Sequence, residues 1–186
     1  GSSVHVLPGM EVESREGVHL LALFDEIGAL NRWQDAVYSA LPPLQNDARL
    51  FGTQLVVDAD GTLISVNQRL LATAAALSVE EVVRGVGLLG GLCIPAHVDR
   101  PSNGLLGVLG MVPDGLGVPA LEVSRNLSPQ QAAQRFPQLK EITLVRSSDA
   151  HALEDVGKAT TTFLIDELSV LEVSMACRGE RGRLVA

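Results

Sequence analysis

The sequence predicts an α/β protein whose strands form a parallel sheet or a barrel. The main observation is that apolar runs of strand length alternate with amphipathic helical segments from residue 78 onward. The second observation is size, because 186 residues are enough for one domain with a substantial core and too few for two comfortable ones. We therefore expect a single domain over residues 1–186.

The first elements along the chain are predicted to be a hairpin followed by a helix. Residues 4–12 and 17–24 are apolar runs separated by the charged segment 13–16, which predicts two short paired strands. Apolar side chains at helical spacing predict a helix over residues 31–40. Two consecutive prolines then end this helix, because proline lacks the backbone N–H that helix continuation needs.

A second hairpin is predicted further along the chain. Residues 55–58 and 63–66 are apolar and flank Asp60 and Gly61, a dipeptide that strongly favours a tight hairpin turn. This pair of strands indicates a small inserted lobe, which we place at residues 31–75.

The second half of the chain repeats the order of strand and helix. Ser78, with Glu81 three residues on, is a capping-box pattern and predicts a helix to about residue 89. Ser128 followed by Pro129 predicts another helix start. The remaining predicted elements are strands at 92–96, 121–123, 142–145 and 161–165, and helices from about 153 and over 168–177.

Composition and charge narrow the classes of partner. Apolar residues make up 46% of the chain and charged residues 19%, which is typical of a folded domain. There are 14 Lys plus Arg against 22 Asp plus Glu, a net charge of -8. We therefore expect no non-specific nucleic-acid binding and no membrane partner, since both need a basic surface.

Location and redox state are also predicted from composition. No apolar run reaches the roughly 20 residues that a membrane-spanning helix needs. Cys93 and Cys177 are lone cysteines in apolar surroundings, which is typical of reduced core residues. These features predict a cytoplasmic protein. The glycine- and arginine-rich residues 178–186 are predicted to form a flexible tail.

Polar side chains follow several predicted strands. His19, His97 and His151 lie at or just beyond strand ends, where ligand sites form in parallel α/β proteins. Asp149 and His151 are two residues apart and share one face of extended backbone, and a carboxylate plus an imidazole suits zinc, manganese or iron. Each residue alone is explained as well by a capping aspartate, a surface histidine or a hydrogen-bonded core histidine.

Four segments together resemble the PHP family, the polymerase and histidinol phosphatase domain. They are LPGMEV at 7–12, EGVHLLALF at 16–24, IPAHVDR at 94–100 and SSDAH at 147–151, in the family's order. The resemblance covers the chain from Pro8 to about Gly157. It implies a distorted (β/α)7 TIM-like barrel and a metal-dependent phosphoesterase with up to three divalent metal ions, zinc, manganese or iron.

The resemblance assigns roles to particular residues. Glu11 matches the carboxylate that bridges two metals, and His19 and His97 match imidazoles that complete one of those ions. Asp149 matches a ligand of a second ion and His151 a ligand of a third, so Glu11 and Asp149 are the expected catalytic carboxylates.

One further role comes from side-chain chemistry. Arg100 follows His97 by three residues, and its guanidinium matches the geometry of a substrate phosphate. A surface salt bridge to an acidic neighbour explains Arg100 equally well.

The family's opening His-x-His strand and a later Asp-His have no counterpart here. The resemblance therefore implies a barrel incomplete at its amino-terminal end, and we expect exposed sheet edges to favour a homo-oligomer. Two functions follow. The first is hydrolysis of a phosphomonoester, or of a nucleotide or oligonucleotide phosphodiester, by a metal-activated water. The second is a metal-binding but catalytically inert module with a structural or regulatory role. A related metal-dependent amidohydrolase fits the four segments less well.

Overall fold

The computed structural model describes residues 4–186 and contains short strands interspersed with helices. The strands are β1 (Gly9–Glu13), β2 (His19–Leu23), β3 (Leu55–Val57), β4 (Leu63–Val66), β5 (Leu92–Pro95), β6 (Leu121–Val123), β7 (Leu144–Arg146), β8 (Phe163–Leu164) and β9 (Leu184–Val185). The α-helices are α1 (Ile27–Ala40), α2 (Ala48–Phe51), α3 (Val79–Leu88), α4 (Leu105–Leu109), α5 (Pro129–Arg135) and α6 (Val170–Arg178). Two 3-10 turns lie at Pro137–Leu139 and Leu153–Asp155.

The sheet formed by β1, β2 and β5 is the framework of the molecule. Strand β1 pairs antiparallel with β2, and β2 pairs antiparallel with β5. Val12, Leu20 and Ala22 alternate toward one face and are buried there, so the intervening residues face the other side. Glu11 lies on that second face.

A pair of parallel strands extends this framework. Strand β6 pairs in parallel with β7, with Glu122 opposite Val145. The N–H of Val98, just beyond β5, donates to the carbonyl of Glu122 over 2.8 Å. The ends of β5, β6 and β7 therefore lie side by side.

Helices α1 and α3 pack on the buried face of the sheet and form the main core. Trp33 of α1 and Val86 of α3 are buried together with Phe24. A β-carbon added at Gly91 would lie 2.4 Å from the Phe24 ring, so this close approach requires glycine. Helix α3 begins with the predicted capping box at Ser78, and α5 begins at the predicted Ser128, where the structure also shows a capping box.

The α/β class is confirmed, but a closed (β/α)7 barrel is not. Within residues 4–186 the strands form one three-stranded sheet and three two-stranded sheets, and only β6 and β7 are parallel. Strands β1, β2 and β5 run antiparallel because a tight turn joins the first two and β5 returns beside β2. The alternation of strands and helices in the sequence predicts which elements occur, but it does not predict whether neighbouring strands run parallel or antiparallel.

The inserted segment divides into a buried and an exposed part. Helix α1 begins at Ile27 and packs in the main core, whereas strands β3 and β4 form a hairpin with every residue exposed. The end of the chain differs from the predicted flexible tail, because β9 pairs with β8 and Arg183 binds Glu172. Ion pairing and strand pairing fix this segment. Over residues 4–186, the helices are too short or too polar to cross a membrane.

Candidate metal centre

Glu11, His19 and His97 converge on the face of the sheet opposite the main core. Glu11 lies in the middle of β1. His19 is the first residue of β2 and lies diagonally across the two paired strands from Glu11. An oxygen of Glu11, Oε1, lies 3.2 Å from Nδ1 of His19 and 3.4 Å from Nε2 of His97. The three side chains, which we call the Glu11 triad, offer ligand atoms that all lie within 4.8 Å of one another. This spacing suits a single metal ion.

Backbone hydrogen bonds bring His97 to this position. The N–H of Ala96 donates to the carbonyl of His19 over 3.0 Å, which continues the pairing of β2 beyond the end of β5. His97 then adopts a left-handed backbone with φ of 30°. A left-handed conformation is costly for a residue other than glycine and is concentrated at functional sites.

The electrostatics of the triad are those of a carboxylate between two imidazoles. Hydrogen bonds from His19 and His97 hold the pKa of the Glu11 carboxyl far below its ordinary value. The hydrogen bond to Glu11 in turn raises the pKa of His19. Glu11 is therefore fully ionised at neutral pH and attracts a positive partner.

The donor set fits a divalent metal ion. One carboxylate and two imidazoles are ligands that zinc, manganese and iron accept. The His97 side chain is 3% exposed, and its Nδ1 has no hydrogen-bond partner within residues 4–186. Nε2 of the same ring faces Glu11 and is the atom placed to bind an ion.

Asp149 and Arg100 lie beside the triad and bind each other. Nη2 of Arg100 donates to Oδ2 of Asp149 over 2.6 Å. Asp149 also has a left-handed backbone, with φ of 46°. Its charge contributes to the raised pKa of His19, which places it near the triad without joining it. The salt bridge that the sequence left open for Arg100 is therefore present.

His151 lies apart from these residues. Its side chain is 80% exposed, and Nδ1 is 2.9 Å from the backbone oxygen of Asp149. The structure therefore brings together Glu11, His19 and His97, places Asp149 and Arg100 at their side, and leaves His151 at the surface.

Glu122 is a residue that sequence reasoning missed. It is 2% exposed in β6, and Oγ of Ser147 donates to its Oε1 over 2.7 Å. Burial raises its pKa, and the charges of His97, Asp149 and Glu11 act on it as well. The only signal in the sequence is a single acidic residue between two apolar residues in the strand.

A cavity of about 450 Å³ adjoins the edge of β1. Glu11 and Glu13 line it on one side, and Tyr38, Gln34 and Leu55 are among the residues that close it. Its volume lies in the range of small-molecule sites. Of the triad, Glu11 alone is among the residues that line it.

Comparison with known proteins connects the second half of the chain to a family model. Residues 129–180 match the family model described as PHP-associated, which confirms the predicted resemblance to the PHP family. No curated protein matches the sequence.

Two solved structures share the fold. The lesion-specific endonuclease PfuEndoQ from Pyrococcus furiosus matches 94% of this chain at 20% identity, with a TM-score of 0.66. A complex of Endonuclease Q with a 27-mer duplex substrate, with an abasic lesion at the active site, also matches 94% at 20% identity, with a TM-score of 0.64. The chain spans 39% of the length of each of those proteins.

This comparison contradicts one prediction about partners. The net charge of -8 led us to expect no non-specific nucleic-acid binding, yet a structure of the same fold is a complex with a duplex. The prediction was wrong because it summed charge over the whole chain. Binding of a phosphate depends on the local field of a cleft, where nearby cationic groups act more strongly than distant carboxylates.

Proposed function

We propose that this chain contains the metal-binding part of a metal-dependent phosphoesterase that hydrolyses a phosphodiester in nucleic acid. The observation that carries the proposal is the Glu11 triad, a carboxylate and two imidazoles at one spot of the sheet. Confirmed resemblance to the PHP family and the shared fold with two endonuclease structures support it.

Each residue of the site has a role in this proposal. Glu11, His19 and His97 hold a divalent ion of zinc, manganese or iron. Such an ion supplies an acidified water and a Lewis acid for the phosphate when it is bound. The ionised Glu11 neutralises part of the positive charge, and the buried His97 keeps its ring fixed. Asp149 is placed to bind a second ion.

Arg100 is the proposed phosphate-binding residue. Its guanidinium lies beside the triad through its ion pair with Asp149. Five N–H donors in a planar fork match two oxygens of a phosphate, which a lysine does not. The cavity along β1 offers room for the part of the substrate beyond that phosphate.

The proposal is tested with a duplex oligonucleotide that contains one abasic site. Purified protein is loaded with Mn²⁺ and incubated with this duplex, with an undamaged duplex of the same sequence, and with bis(4-nitrophenyl) phosphate. We expect Mn²⁺-dependent cleavage that Glu11→Gln abolishes. Cleavage that persists at the same rate in Glu11→Gln would refute the proposal, because that variant loses the carboxylate that binds the ion.

A second function is a metal-binding module without catalysis. The observation that favours it is the ion pair between Arg100 and Asp149, which leaves Asp149 bound to protein instead of to a second ion. The same experiment separates the two functions. A chain that binds Mn²⁺ through Glu11 but cleaves none of the three substrates is the inert module.

A further inference from the structure

Glu122 occupies a buried position where a carboxyl group lowers the stability of the fold. It is 2% exposed, and within residues 4–186 no cation forms a salt bridge with it. One hydroxyl, that of Ser147, donates to Oε1. Burial of a carboxyl with a single neutral donor costs free energy, and burial raises the pKa of Glu122 accordingly. A group that destabilises the fold in this way needs a function.

Its side chain lies on the same side of the sheet as the metal centre. Leu121 and Val123, its neighbours in β6, are completely buried in the main core, so Glu122 lies on the opposite face of the strand. There it lines a pocket together with Leu21, the residue of β2 that pairs with Glu11. The charges of Glu11, His97 and Asp149 act on its carboxyl.

Glu122 also connects the two loops that carry site residues. Its backbone carbonyl accepts from the N–H of Val98 over 2.8 Å, next to His97. Its carboxyl accepts from Ser147 over 2.7 Å, two residues before Asp149. One residue thus binds both loops, one through the main chain and the other through the side chain.

A neighbouring contact reinforces this connection. The carboxylate of Asp99 accepts from the backbone N–H of Ser124 over 2.6 Å and from its hydroxyl over 2.7 Å. The end of β6 is therefore attached to the loop after β5 at Glu122 and again at Ser124. Three consecutive residues hold the loop after β7: Ser147 reaches β6 through Glu122, the hydroxyl of Ser148 bonds to the backbone of Ala159, and Asp149 binds Arg100.

We infer that Glu122 is a positioning residue of the metal centre, which sets the place of Asp149 relative to His97 by holding Ser147. This inference rests on the proposed function, because Asp149 matters only if it binds an ion or substrate there. The left-handed backbone of Asp149 makes the role necessary, since such a conformation persists only when its surroundings hold it.

The test uses variants that remove or keep the acceptor for Ser147. Glu122→Ala removes it, Ser147→Ala removes its donor without opening a large space, and Glu122→Gln keeps an oxygen acceptor. A double variant, Glu122→Ala with Ser147→Ala, measures whether the two act as one. Glu172→Gln, a buried carboxyl of α6, is the matched control. Mn²⁺ dissociation constants are measured by calorimetry, and kcat and KM with bis(4-nitrophenyl) phosphate.

We expect Glu122→Ala and Ser147→Ala each to weaken Mn²⁺ binding or lower kcat by about 10- to 100-fold, the usual effect of losing a residue that orients a metal ligand. Glu122→Gln should stay close to the wild type, and the double variant should be no worse than the poorer single variant. Additive losses, or a Glu122→Gln as impaired as Glu122→Ala, would overturn the positioning role. A wild type that binds Mn²⁺ without hydrolysis refutes the proposed function alone, because the binding data still decide the role of Glu122.

Discussion

Arg100 and Asp149 form an ion pair that joins two loops 49 residues apart in the sequence, with Nη2 of Arg100 2.6 Å from Oδ2 of Asp149. Both side chains remain partly exposed beside the Glu11 triad. In the proposed function, the guanidinium that meets the phosphate is held in place by this ion pair.

Replacement of Arg100 tests this arrangement. Arg100→Ala should raise KM for a phosphodiester by on the order of tenfold, because one charge-assisted hydrogen bond to phosphate is worth about 1.5–3 kcal/mol. Arg100→Lys should recover only part of the loss, since an ammonium does not match two phosphate oxygens. Steady-state kinetics with metal-loaded protein measure both. Unchanged kinetics in both variants would show that Arg100 serves Asp149 alone.

The metal content of single variants tests the Glu11 triad. Glu11→Ala, His19→Ala and His97→Ala should each lower the tightly bound metal from about one ion per chain, because three protein ligands are the usual minimum for such a site. Elemental analysis after gel filtration gives the stoichiometry. His5→Ala, outside the triad, should keep the wild-type content. Equal content in all four variants would refute the site.

The pH dependence of stability without metal follows from the ion pair of Glu11 and His19. The pKa of His19 is raised above 6.5, so its contribution to the free energy of unfolding is complete below that pH and is lost as pH rises through the raised value. The pKa of Glu11 is lowered below 4.5, so its contribution is present above that pH and is lost as pH falls through the lowered value.

The pair therefore contributes most between pH 4.5 and 6.5. In chelator, urea unfolding of the wild type should show a gain in that window that Glu11→Gln lacks. Metal binding should follow the opposite trend, because protons compete for His19, and should strengthen as pH rises through its raised pKa. Parallel pH profiles of wild type and Glu11→Gln would contradict this assignment.

Two glycines of α3 give a matched test of the core. A β-carbon at Gly85 would lie 2.7 Å from the Trp33 ring, whereas nothing lies within 4 Å of one at Gly87. Gly85→Ala should lower the free energy of unfolding by about 1–3 kcal/mol through overpacking. Gly87→Ala should raise it by roughly 0.5–1 kcal/mol, because alanine loses less entropy in a helix. Chemical denaturation measures both, and equal effects would contradict the packing of α1 on α3.

The sequence predicts local structure here better than it predicts strand direction. Strand β6 lies at the predicted residues 121–123, α3 begins at its predicted capping box, and α5 begins at the predicted Ser128 and Pro129. Helix α1 begins four residues earlier than predicted. The reason is that Ala29, which precedes the predicted start, already packs in the core. Pairing between distant strands depends on packing that local patterns do not contain, so the barrel was predicted where separate small sheets are found.

The candidate site, like the fold, was predicted from the sequence only in part. Glu11, His19 and His97 are brought together by pairing of β1, β2 and β5, and the family resemblance predicted their convergence although His97 lies 78 residues beyond His19. Glu122 was missed because the two apolar residues around it suggest only a short buried strand. Its importance depends on Val98 and Ser147, which approach it only in the folded chain.

The hairpin of β3 and β4 leaves and rejoins the body of the protein at a single point. Gln45 pairs with Arg69, and the N–H of Asn46 donates to the carbonyl of Gln68 over 2.8 Å. The intervening segment thus has its two ends side by side. Because its two ends are adjacent, the segment can be shortened, lengthened or replaced by a foreign peptide without altering the path of the chain on either side.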